Sequence, residues 1–349
     1  MNSPDGAHVP ADIGVPVDVG AVSVIMPILN EERHLREAVA VVLDQDYPGE
    51  IELVLALGPS TDRTDEVAHA LAEQDPRITC VPNPSGRTPD ALNAAIAASR
   101  HEVIARVDGH ALIPNGYLNT AVQVLKRTGA DNVGGIMDAQ GITPFEQAVA
   151  AAMRSRLGVG SSRFHTGGKE GPAETVYLGV FRRAALERVG GYDTHFARAQ
   201  DWELNHRIRA TGGVVWFTPE LTVSYRPRRT VAALARQYFN YGRWRRVVAH
   251  RHGTISARYL APPALVSGLA LALLVAPWRP WTLLVPAGYL LAIAAGGIAV
   301  GAGLQWRARL RVPVALGVMH LSWGMGFLTS PPRLKLNGET VATSPEAAR

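Results

Sequence analysis

The chain has almost no cysteine, since Cys80 is the only one among its 349 residues. An intrachain disulfide is therefore impossible, and the composition is compatible with a reducing, cytosolic setting. The N-terminal segment 1–20 lacks a basic stretch followed by an apolar core and is rich in Asp, Gly, Pro and Val. We expect this segment to be a disordered leader, and we do not expect a secretory signal peptide.

Acidic residues are missing from the C-terminal part of the chain. No Asp or Glu lies between Glu220 and Glu339, so the formal net charge of +5 arises from this part, while the part before it is acidic on balance. Such a distribution argues against nucleic acid as a partner and favours a segment that lies close to membrane lipids.

Short apolar runs alternate with helical patterns between Ala21 and Val107. This alternation predicts βαβ units, and therefore an α/β fold with a mostly parallel sheet flanked by helices. Ligands usually bind beyond the carboxyl ends of the strands in such a sheet. The predicted strands cover 22–26, 51–57, 78–81 and 103–107, and the predicted helices cover 33–43, 90–98 and a stretch that follows a cap at 60–62 and ends at Leu71.

Polar residues follow each predicted strand, and the last such group is Asp108-Gly109-His110. A carboxylate and an imidazole that flank a glycine could bind a cation together with a diphosphate. Mg²⁺ and Mn²⁺ prefer oxygen ligands, so Asp108 is expected to coordinate directly, with His110 as a softer second ligand or as the holder of a bound water. By itself such a group is more often an ordinary turn than a metal site, because Asp and Gly are turn formers.

Taken in order, these motifs resemble the family 2 glycosyltransferases of the GT-A fold, which use nucleotide-activated sugars. The stretch 22–32 resembles their opening strand and nucleotide loop, 60–64 resembles their second-strand turn, and 87–93 resembles the region before their metal motif. Within the family, the likeness is to membrane-anchored bacterial enzymes of exopolysaccharide assembly, of the succinoglycan glucosyltransferase group. The resemblance implies a divalent cation at Asp108 and His110, and it implies donor binding by Pro27, Asn30, Glu31, Ser60, Asp62, Arg87, Asn93 and Asp108.

Two positions depart from the family pattern. His110 stands where the family usually has a second Asp, which puts direct coordination by both positions in question. Leu57-Gly58-Pro59 stands where an Asp usually reads the nucleotide base, so base recognition falls to Glu31, Asp62 or backbone groups, and the nucleotide stays open. Outside this context, residues 30–32 and 60–64 would be read as an ordinary helix start and a helix cap.

A second region of resemblance covers the acceptor side. A Gly-Gly-Tyr-Asp turn at 190–193 precedes Gln200-Asp201-Trp202, where the family usually has a Glu-Asp pair at the start of a helix. The resemblance implies that Asp201 is the catalytic base, with Gln200 and Trp202 on the acceptor side. The alternative is that Asp201 only caps the helix 202–210. Between Asp138 and Glu174 the composition is loop-like, and the resemblance predicts a flexible acceptor loop.

The segment 226–258 is predicted to be a basic amphipathic interface segment that follows a GT-A domain at 21–225. Arginines are interspersed with apolar and aromatic residues over 230–252, which suits a membrane interface. Gln237, Arg243 and Trp244 loosely resemble an acceptor-binding motif of processive family members, but their spacing differs and processivity is not expected. Attraction of the arginines to anionic lipid is the alternative to a role with a lipid diphosphate.

Three apolar segments follow, at 259–278, 280–306 and 312–332, and each is free of charge and about 20 residues long, enough to span a bilayer. We therefore predict a transmembrane region of about three helices at 259–332 and a tail at 333–349. A buried soluble helical bundle is the alternative. The arginine-rich flanks are expected on the cytoplasmic side.

The resemblance implies an inverting glycosyltransferase in the plasma membrane. It would move a sugar from a nucleotide-sugar donor to a lipid-linked glycan at the cytoplasmic face. Two other classes stay open: a non-catalytic scaffold of a polysaccharide assembly complex, which the lost base-reading Asp would suit, and a nucleotidyltransferase, which would share the nucleotide-binding half.

Overall fold

The structure is a computed structural model that describes residues 20–253 and 257–331. The predicted leader, apart from Gly20, and the predicted tail lie outside the described residues. The strands are β1 Val22–Ile28, β2 Ile51–Leu57, β3 Ile78–Pro82, β4 Val103–Arg106, β5 Asn132–Ala139, β6 Gly171–Pro172, β7 Tyr177–Arg182 and β8 Val215–Tyr225.

Helices flank the sheet, and after β8 the described part of the chain forms only helices and short turns. They are α1 Leu35–Leu43, α2 Thr64–Gln74, α3 Thr88–Ala98, α4 Tyr117–Thr128, α5 Pro144–Met153, α6 Arg156–Val159, α7 Arg163–Thr166, α8 Arg183–Arg188, α9 Gln200–Ala210, α10 Val231–His252, α11 Ala261–Val275, α12 Leu284–Val300, α13 Trp306–Arg309 and α14 Val312–Thr329. Short 3₁₀ turns at Ala257–Tyr259 and Pro280–Leu283 precede α11 and α12.

The strands form one sheet in the order β3-β2-β1-β4-β7-β5-β8-β6. The four strands predicted from the alternation are parallel, with β1 between β2 and β4, and β3 outside β2. Residues on β1 and β2 are buried on both faces because helices cover both sides of the sheet, as expected for parallel strands. The predicted α/β fold with a mostly parallel sheet is therefore confirmed.

The second half of the sheet was largely missed by the sequence interpretation. Strand β7 is antiparallel to β4 and β5, and β8 is a long strand parallel to β5. The register between β5 and β8 shifts after Gly134, and a Cβ at Gly135 would overlap the carbonyl oxygen of Leu221. Glycine at this position therefore allows the bulged part of β8 to lie against β5.

The expectation of a loop over 138–174 is wrong, because α5 and the short helices α6 and α7 lie there. Thr143 and Glu146 form a capping box at the start of α5, and Pro144 occupies its first turn. Both the cap and the proline are readable in the sequence. The apolar side of α5 is buried among residues of α14 and α10, which supplies the packing that stabilises the helix.

Glu146 also joins α5 to the segment that enters α10. Its buried carboxylate accepts hydrogen bonds from the backbone of Ile142 and Thr143 and pairs with Arg226 and Arg229, each at 3.2 Å. Burial alone would raise the pKa of Glu146, but the backbone donors and Arg226 hold it below its usual value. The ionised form of Glu146 therefore stabilises this junction.

The apolar face of α10 packs against protein, because α14 lies along it. Leu234, Tyr238 and Val248 of this helix are buried, whereas Val231 and Tyr241 are exposed. Two glycines allow the close approach of the helices: a Cβ at Gly242 would overlap the backbone of α14, and one at Gly326 would overlap the backbone of α10.

Two of the described helical segments are long and apolar enough to cross a membrane, namely Pro280–Val300 with 21 residues and Trp306–Thr329 with 24. The first of the three predicted spans contains α11, a helix of 15 residues. At 1.5 Å per residue it is about 22 Å long, less than the hydrocarbon core of about 30 Å. The number of crossings stays a prediction.

Candidate active site

A large cavity joins the carboxyl ends of the central strands to the C-terminal helices. Its volume is about 1320 Å³. At one end it is lined by Pro27, Glu31 and Asp108, next to β1 and β4, and in the middle by Asp201 at the start of α9. Its other end reaches α10, α11, α12 and α14. The cavity lies where an open α/β sheet usually binds its ligand.

Arg106, the last residue of β4, holds the two predicted key carboxylates together. Its Nε and Nη2 donate to Oδ1 of Asp108 at 3.0 and 2.9 Å, and its Nη1 pairs with Oδ1 of Asp201. Asp201 lies 95 residues further along the chain. Only 7% of the Arg106 side chain is exposed, whereas the carboxylates keep 24% and 43% of their side-chain surface open to the cavity.

The charges of this triad determine its titration. Burial raises the pKa of Asp201, Arg106 opposes this effect, and the charge of Asp108 adds to it, so the pKa of Asp201 lies above its usual value. The pKa of Arg106 lies far above its ordinary range, because the two carboxylates outweigh its burial. A carboxylate with a raised pKa is a better proton acceptor, which suits Asp201 for general-base work.

At the end of the cavity that Glu31 and Asp108 line, His110 pairs with Glu31, with 2.8 Å between Nδ1 and Oε1. This hydrogen bond raises the pKa of His110. Asn30, the residue before Glu31, has a left-handed backbone with a φ of 55°, and Ala199, just before α9, has a φ of 62°. Non-glycine residues rarely adopt this conformation, and such strain is often found at active sites.

Three of the predicted donor-binding residues bond to the backbone and side chains of the adjoining loops. The Asn30 side-chain oxygen accepts from the backbone of Thr61 at 2.7 Å, and Ser60 Oγ accepts from the backbone of Asn30 at 3.1 Å. Asp62 accepts from Thr64, whose hydroxyl accepts from the Glu31 backbone at 2.7 Å. Asn30, Ser60 and Asp62 thus tie the loop after β1 to the loop after β2 and hold Glu31. Direct donor contact by the three stays a prediction.

Arg87 and Asn93, also predicted to bind the donor, hold the Gly-Gly-Tyr-Asp turn. The Asn93 side chain donates to the backbone oxygen of Tyr192 and accepts from its backbone nitrogen, both at 2.8 Å. Arg87 donates to the Thr194 backbone at 3.1 Å and pairs with Asp90 at 2.8 Å. These contacts connect α3 to the segment that leads to Asp201, and a role toward the donor stays a prediction.

Four of the five predicted acceptor-side residues line the cavity: Gln200, Trp202, Gln237 and Trp244. The Trp202 ring stacks on His206 with ring centroids 5.3 Å apart. Gln237 donates to the hydroxyls of Tyr225 and Tyr241 at 2.9 and 2.8 Å. Arg243 instead lies over the ring of Phe239, at 6.0 Å.

The residues present fit a divalent cation only if the donor brings most of its ligands. Among the described residues, no group of three or more His, Cys, Asp or Glu is arranged to hold a metal. Mg²⁺ is commonly held by one or two carboxylates together with substrate phosphates and waters. Arg106 bonds to Oδ1 of Asp108, so Oδ2 is the oxygen that a cation would take.

Two arginines of the cavity were overlooked in the sequence interpretation. Arg106 could have been noticed, because a charged residue ends an otherwise apolar strand. Arg245 was treated as one of several interface arginines, yet its guanidinium is enclosed between Trp202 and Tyr259, and burial lowers its pKa. No local sequence signal distinguishes it from its neighbours on α10.

Comparisons with known proteins agree with this geometry. The model of glycosyl transferase family 2 matches residues 23–190. The chain is 33% identical to the succinoglycan biosynthesis protein ExoA of Rhizobium meliloti (strain 1021), across 87% of this chain and 93% of that protein. It is 26% identical to a dolichyl N-acetyl-alpha-D-glucosaminyl phosphate 3-beta-D-2,3-diacetamido-2,3-dideoxy-beta-D-glucuronosyltransferase of Methanococcus voltae, across 63% of this chain and 71% of that protein.

Among solved structures, the mannosyltransferase PcManGT from Pyrobaculum calidifontis, in complex with GDP-Man and Mn²⁺, has a similar fold. The TM-score is 0.53 at 23% identity, and the match covers 85% of each chain. The chain therefore belongs to glycosyltransferase family 2 and has the GT-A fold. The predictions of this family, this fold and a glycosyltransferase activity are confirmed.

Proposed function

We propose that the chain is an inverting glycosyltransferase that moves a sugar from a nucleoside-diphosphate sugar to a lipid-linked glycan, in particular a polyprenyl-diphosphate-linked one. The observation that carries the proposal is the triad of Asp108, Arg106 and Asp201 within one cavity. It places a candidate cation ligand beside a candidate base. The apolar C-terminal helices line the other end of the same cavity.

The donor lies at the end of the cavity that Pro27, Glu31 and Asp108 line. A divalent cation, Mg²⁺ or Mn²⁺, would neutralise the charge that develops on the leaving diphosphate. Asp108 would hold this cation, and His110, which lines the same end of the cavity, would hold a water bound to it. The similar mannosyltransferase structure, which contains GDP-Man and Mn²⁺, supports a nucleotide sugar and a cation here.

Asp201 takes the proton from the acceptor hydroxyl as that hydroxyl attacks the anomeric carbon from the face opposite the leaving group. Its raised pKa supports this role. Arg106 keeps the carboxylate oriented toward the cavity and balances its charge before the substrates arrive. Trp202, next to Asp201, lines the cavity on the acceptor side, but its ring already stacks on His206 and contacts Arg245, so its role is not to stack on a sugar.

The C-terminal helices anchor the enzyme in the plasma membrane with the catalytic domain in the cytoplasm. The two helical segments long enough to span a bilayer support the anchor, and the arginines of α10 and of 307–311 would lie at the cytoplasmic surface. The membrane brings a lipid-linked acceptor to the cavity. Membership of the family favours this activity over a scaffold or a nucleotidyltransferase.

The experiment that tests the proposal is a donor panel with membranes that contain the full chain. Nucleoside diphosphate release is measured with each nucleotide sugar, in Mg²⁺ or Mn²⁺, with and without a bacterial lipid extract. We expect one donor to give release that depends on both the cation and the lipid extract. Lipid-independent release, or none with any donor, would contradict the proposed acceptor.

Two variants separate the proposed roles. Asp201→Asn should lower transfer by about 10²- to 10⁴-fold, the usual effect of a lost general base, while donor binding is nearly unchanged. Asp108→Ala should weaken cation-dependent donor binding. Asp44→Asn, at the exposed end of α1, removes a similar charge away from the cavity and should transfer normally. Full activity of Asp201→Asn would refute its role as the base.

A further inference from the structure

At the end of the cavity that the C-terminal helices line, three neighbouring side chains carry hydrogen-bond donors that have no acceptor among the described residues. The guanidinium of Arg245 lies 4.6 Å from the ring centre of Trp202 and 4.1 Å from that of Tyr259. The guanidinium of Arg258 lies 4.7 Å from the ring centre of Tyr259. Nε1 of Trp202, Nη1 of Arg245 and Nε of Arg258 are buried and have no partner among the described residues.

The lack of acceptors is unusual because buried polar groups are almost always hydrogen-bonded, and an unsatisfied one costs free energy. All three orphan groups are donors, and a guanidinium has no acceptor to offer in return. One water could accept two of these hydrogen bonds, but it would leave the positive charge in place. An anion with several oxygens satisfies both requirements.

The local charges point to the same kind of ligand. Arg258 pairs with Glu174 and donates to the Tyr259 hydroxyl at 2.6 Å. Among the described residues, no carboxylate lies within ion-pair distance of Arg245, so the charge of Glu174, which also acts on Arg245, is shared between two guanidinium groups. The carboxylates that line the cavity, Glu31, Asp108 and Asp201, all lie toward the donor and the base. Positive charge therefore exceeds negative charge around Arg245.

The position of the cluster formed by Trp202, Arg245 and Arg258 indicates what kind of molecule carries the anionic group. Trp202 follows Asp201 in α9, so the cluster lies one residue from the proposed base. Beyond Tyr259, the cavity is lined by Pro262 and Leu265 of α11 and by Trp323 of α14. A ligand that fills this space has an apolar part among the helices, an anionic group at the cluster and a reacting group at Asp201.

We propose that Arg245, Arg258 and Trp202 form a binding site for a phosphate group carried by a lipid, and that the group belongs to the acceptor. The inference rests on the proposed function, since it assigns the head of the proposed lipid-linked acceptor to particular residues. Guanidinium groups bind phosphate oxygens with charge-assisted, often paired hydrogen bonds. The indole N–H of Trp202 adds a third donor. A phospholipid headgroup carries the same chemistry, and the test distinguishes the two sources.

The test measures binding without requiring transfer. The purified full chain in detergent, with EDTA present, is titrated calorimetrically with farnesyl diphosphate and with farnesol. EDTA removes the cation on which the donor site depends. We expect farnesyl diphosphate to bind at least about ten-fold more tightly than farnesol, and excess UDP or GDP not to displace it. Displacement by either nucleotide would place the probe in the donor site and overturn the proposal.

Variants identify the residues. Arg245→Gln should weaken farnesyl diphosphate binding by about 10- to 100-fold, the effect of a lost hydrogen bond to a charged group, without changing farnesol binding. Trp202→Phe removes only the N–H donor and should give a smaller loss. Arg251→Gln removes an exposed charge from the same helix and should bind as the wild type does. Wild-type binding by both Arg245→Gln and Trp202→Phe would overturn the proposal.

Two measurements keep the result interpretable. Thermal unfolding shows whether Arg245→Gln is folded, and if it is not, the loss in Trp202→Phe decides the matter. Vesicles of phosphatidylglycerol, compared with phosphatidylcholine, are then tested as competitors of farnesyl diphosphate. Competition by phosphatidylglycerol would overturn the assignment to the acceptor. If the probe binds as expected but no lipid-dependent transfer occurs, the proposed function fails while the phosphate site stands.

Discussion

Replacing Arg106 by methionine should destabilise the protein, because it leaves Asp108 and Asp201 without their shared counter-charge. Methionine fills much of the space of the arginine stem, so the main loss is electrostatic. Removing one partner of a fully buried ion pair costs about 3–5 kcal/mol, whereas an exposed pair contributes about 0–1 kcal/mol. Arg106 is buried, but its partners are 24% and 43% exposed to the cavity. We therefore expect about 2 kcal/mol of destabilisation.

The assay is thermal unfolding of the purified chain, followed by circular dichroism. A change of about 2 kcal/mol corresponds to a decrease in Tm of about 4–8 °C for a domain of this size. Arg106→Lys keeps the charge but not the paired geometry, so its Tm should lie between those of Arg106→Met and the wild type.

A double mutant separates the electrostatic cause from lost packing. In the Asp201→Asn background, Arg106→Met leaves only one unpaired carboxylate, so it should cost less than in the wild type. The reasoning would be refuted if Arg106→Met unfolded at the wild-type temperature, or if its cost were the same in both backgrounds.

Three further predictions concern the framework around the site. Gly242→Ala should lower the stability by about 3 kcal/mol because the new methyl group overlaps the backbone of α14. The control Gly317→Ala should be neutral or slightly stabilising, because a Cβ at Gly317 has no neighbour within 4 Å. Equal Tm values for the two variants would contradict this. The ionised Glu146 carboxylate should stabilise the fold fully above about pH 4.5 and progressively less as the pH falls through its lowered pKa. Glu146→Gln should therefore be less stable than the wild type at pH 7, and its Tm should fall less on acidification. Parallel Tm profiles of the two proteins against pH would argue against this role of Glu146. Asn93→Ala should cost about 2 kcal/mol by breaking both hydrogen bonds to Tyr192, and a change in Tm below about 1 °C would show that the turn does not depend on them.

Much of the first half of the fold could be predicted because its signals are local. An apolar run of seven residues such as Ile51–Leu57 becomes a buried parallel strand, and its bounds were predicted correctly. The helices after β1, β2 and β3 follow from periodicity and acidic first turns. Errors in the bounds of these elements are mostly one or two residues, as for β1, which continues to Ile28.

The second half of the sheet was harder to predict because its pairing is not local. Strand β7 lies between β4 and β5 although β5 precedes it in sequence, so neither neighbour follows from the order of the chain. The helix α5 was not predicted, although Thr143 and Glu146 form a capping box at its start. The glycines that follow the helix make the composition of 138–174 as a whole loop-like. Its stability comes from burial against α14, which is far away in sequence.

The site shows the same division between local and tertiary information. The family, the α/β class and the candidate roles of Asp108 and Asp201 could be predicted from the linear chain, because motif order and residue chemistry are properties of that chain. Only the tertiary structure revealed that Arg106 joins these two carboxylates and that Asn30, Ser60 and Asp62 connect the loop after β1 to the loop after β2. Only the structure also revealed Arg245 enclosed between Trp202 and Tyr259 with a donor unsatisfied. The physical reason is that burial and hydrogen-bond partners depend on distances between residues far apart in sequence, and folding alone determines those distances.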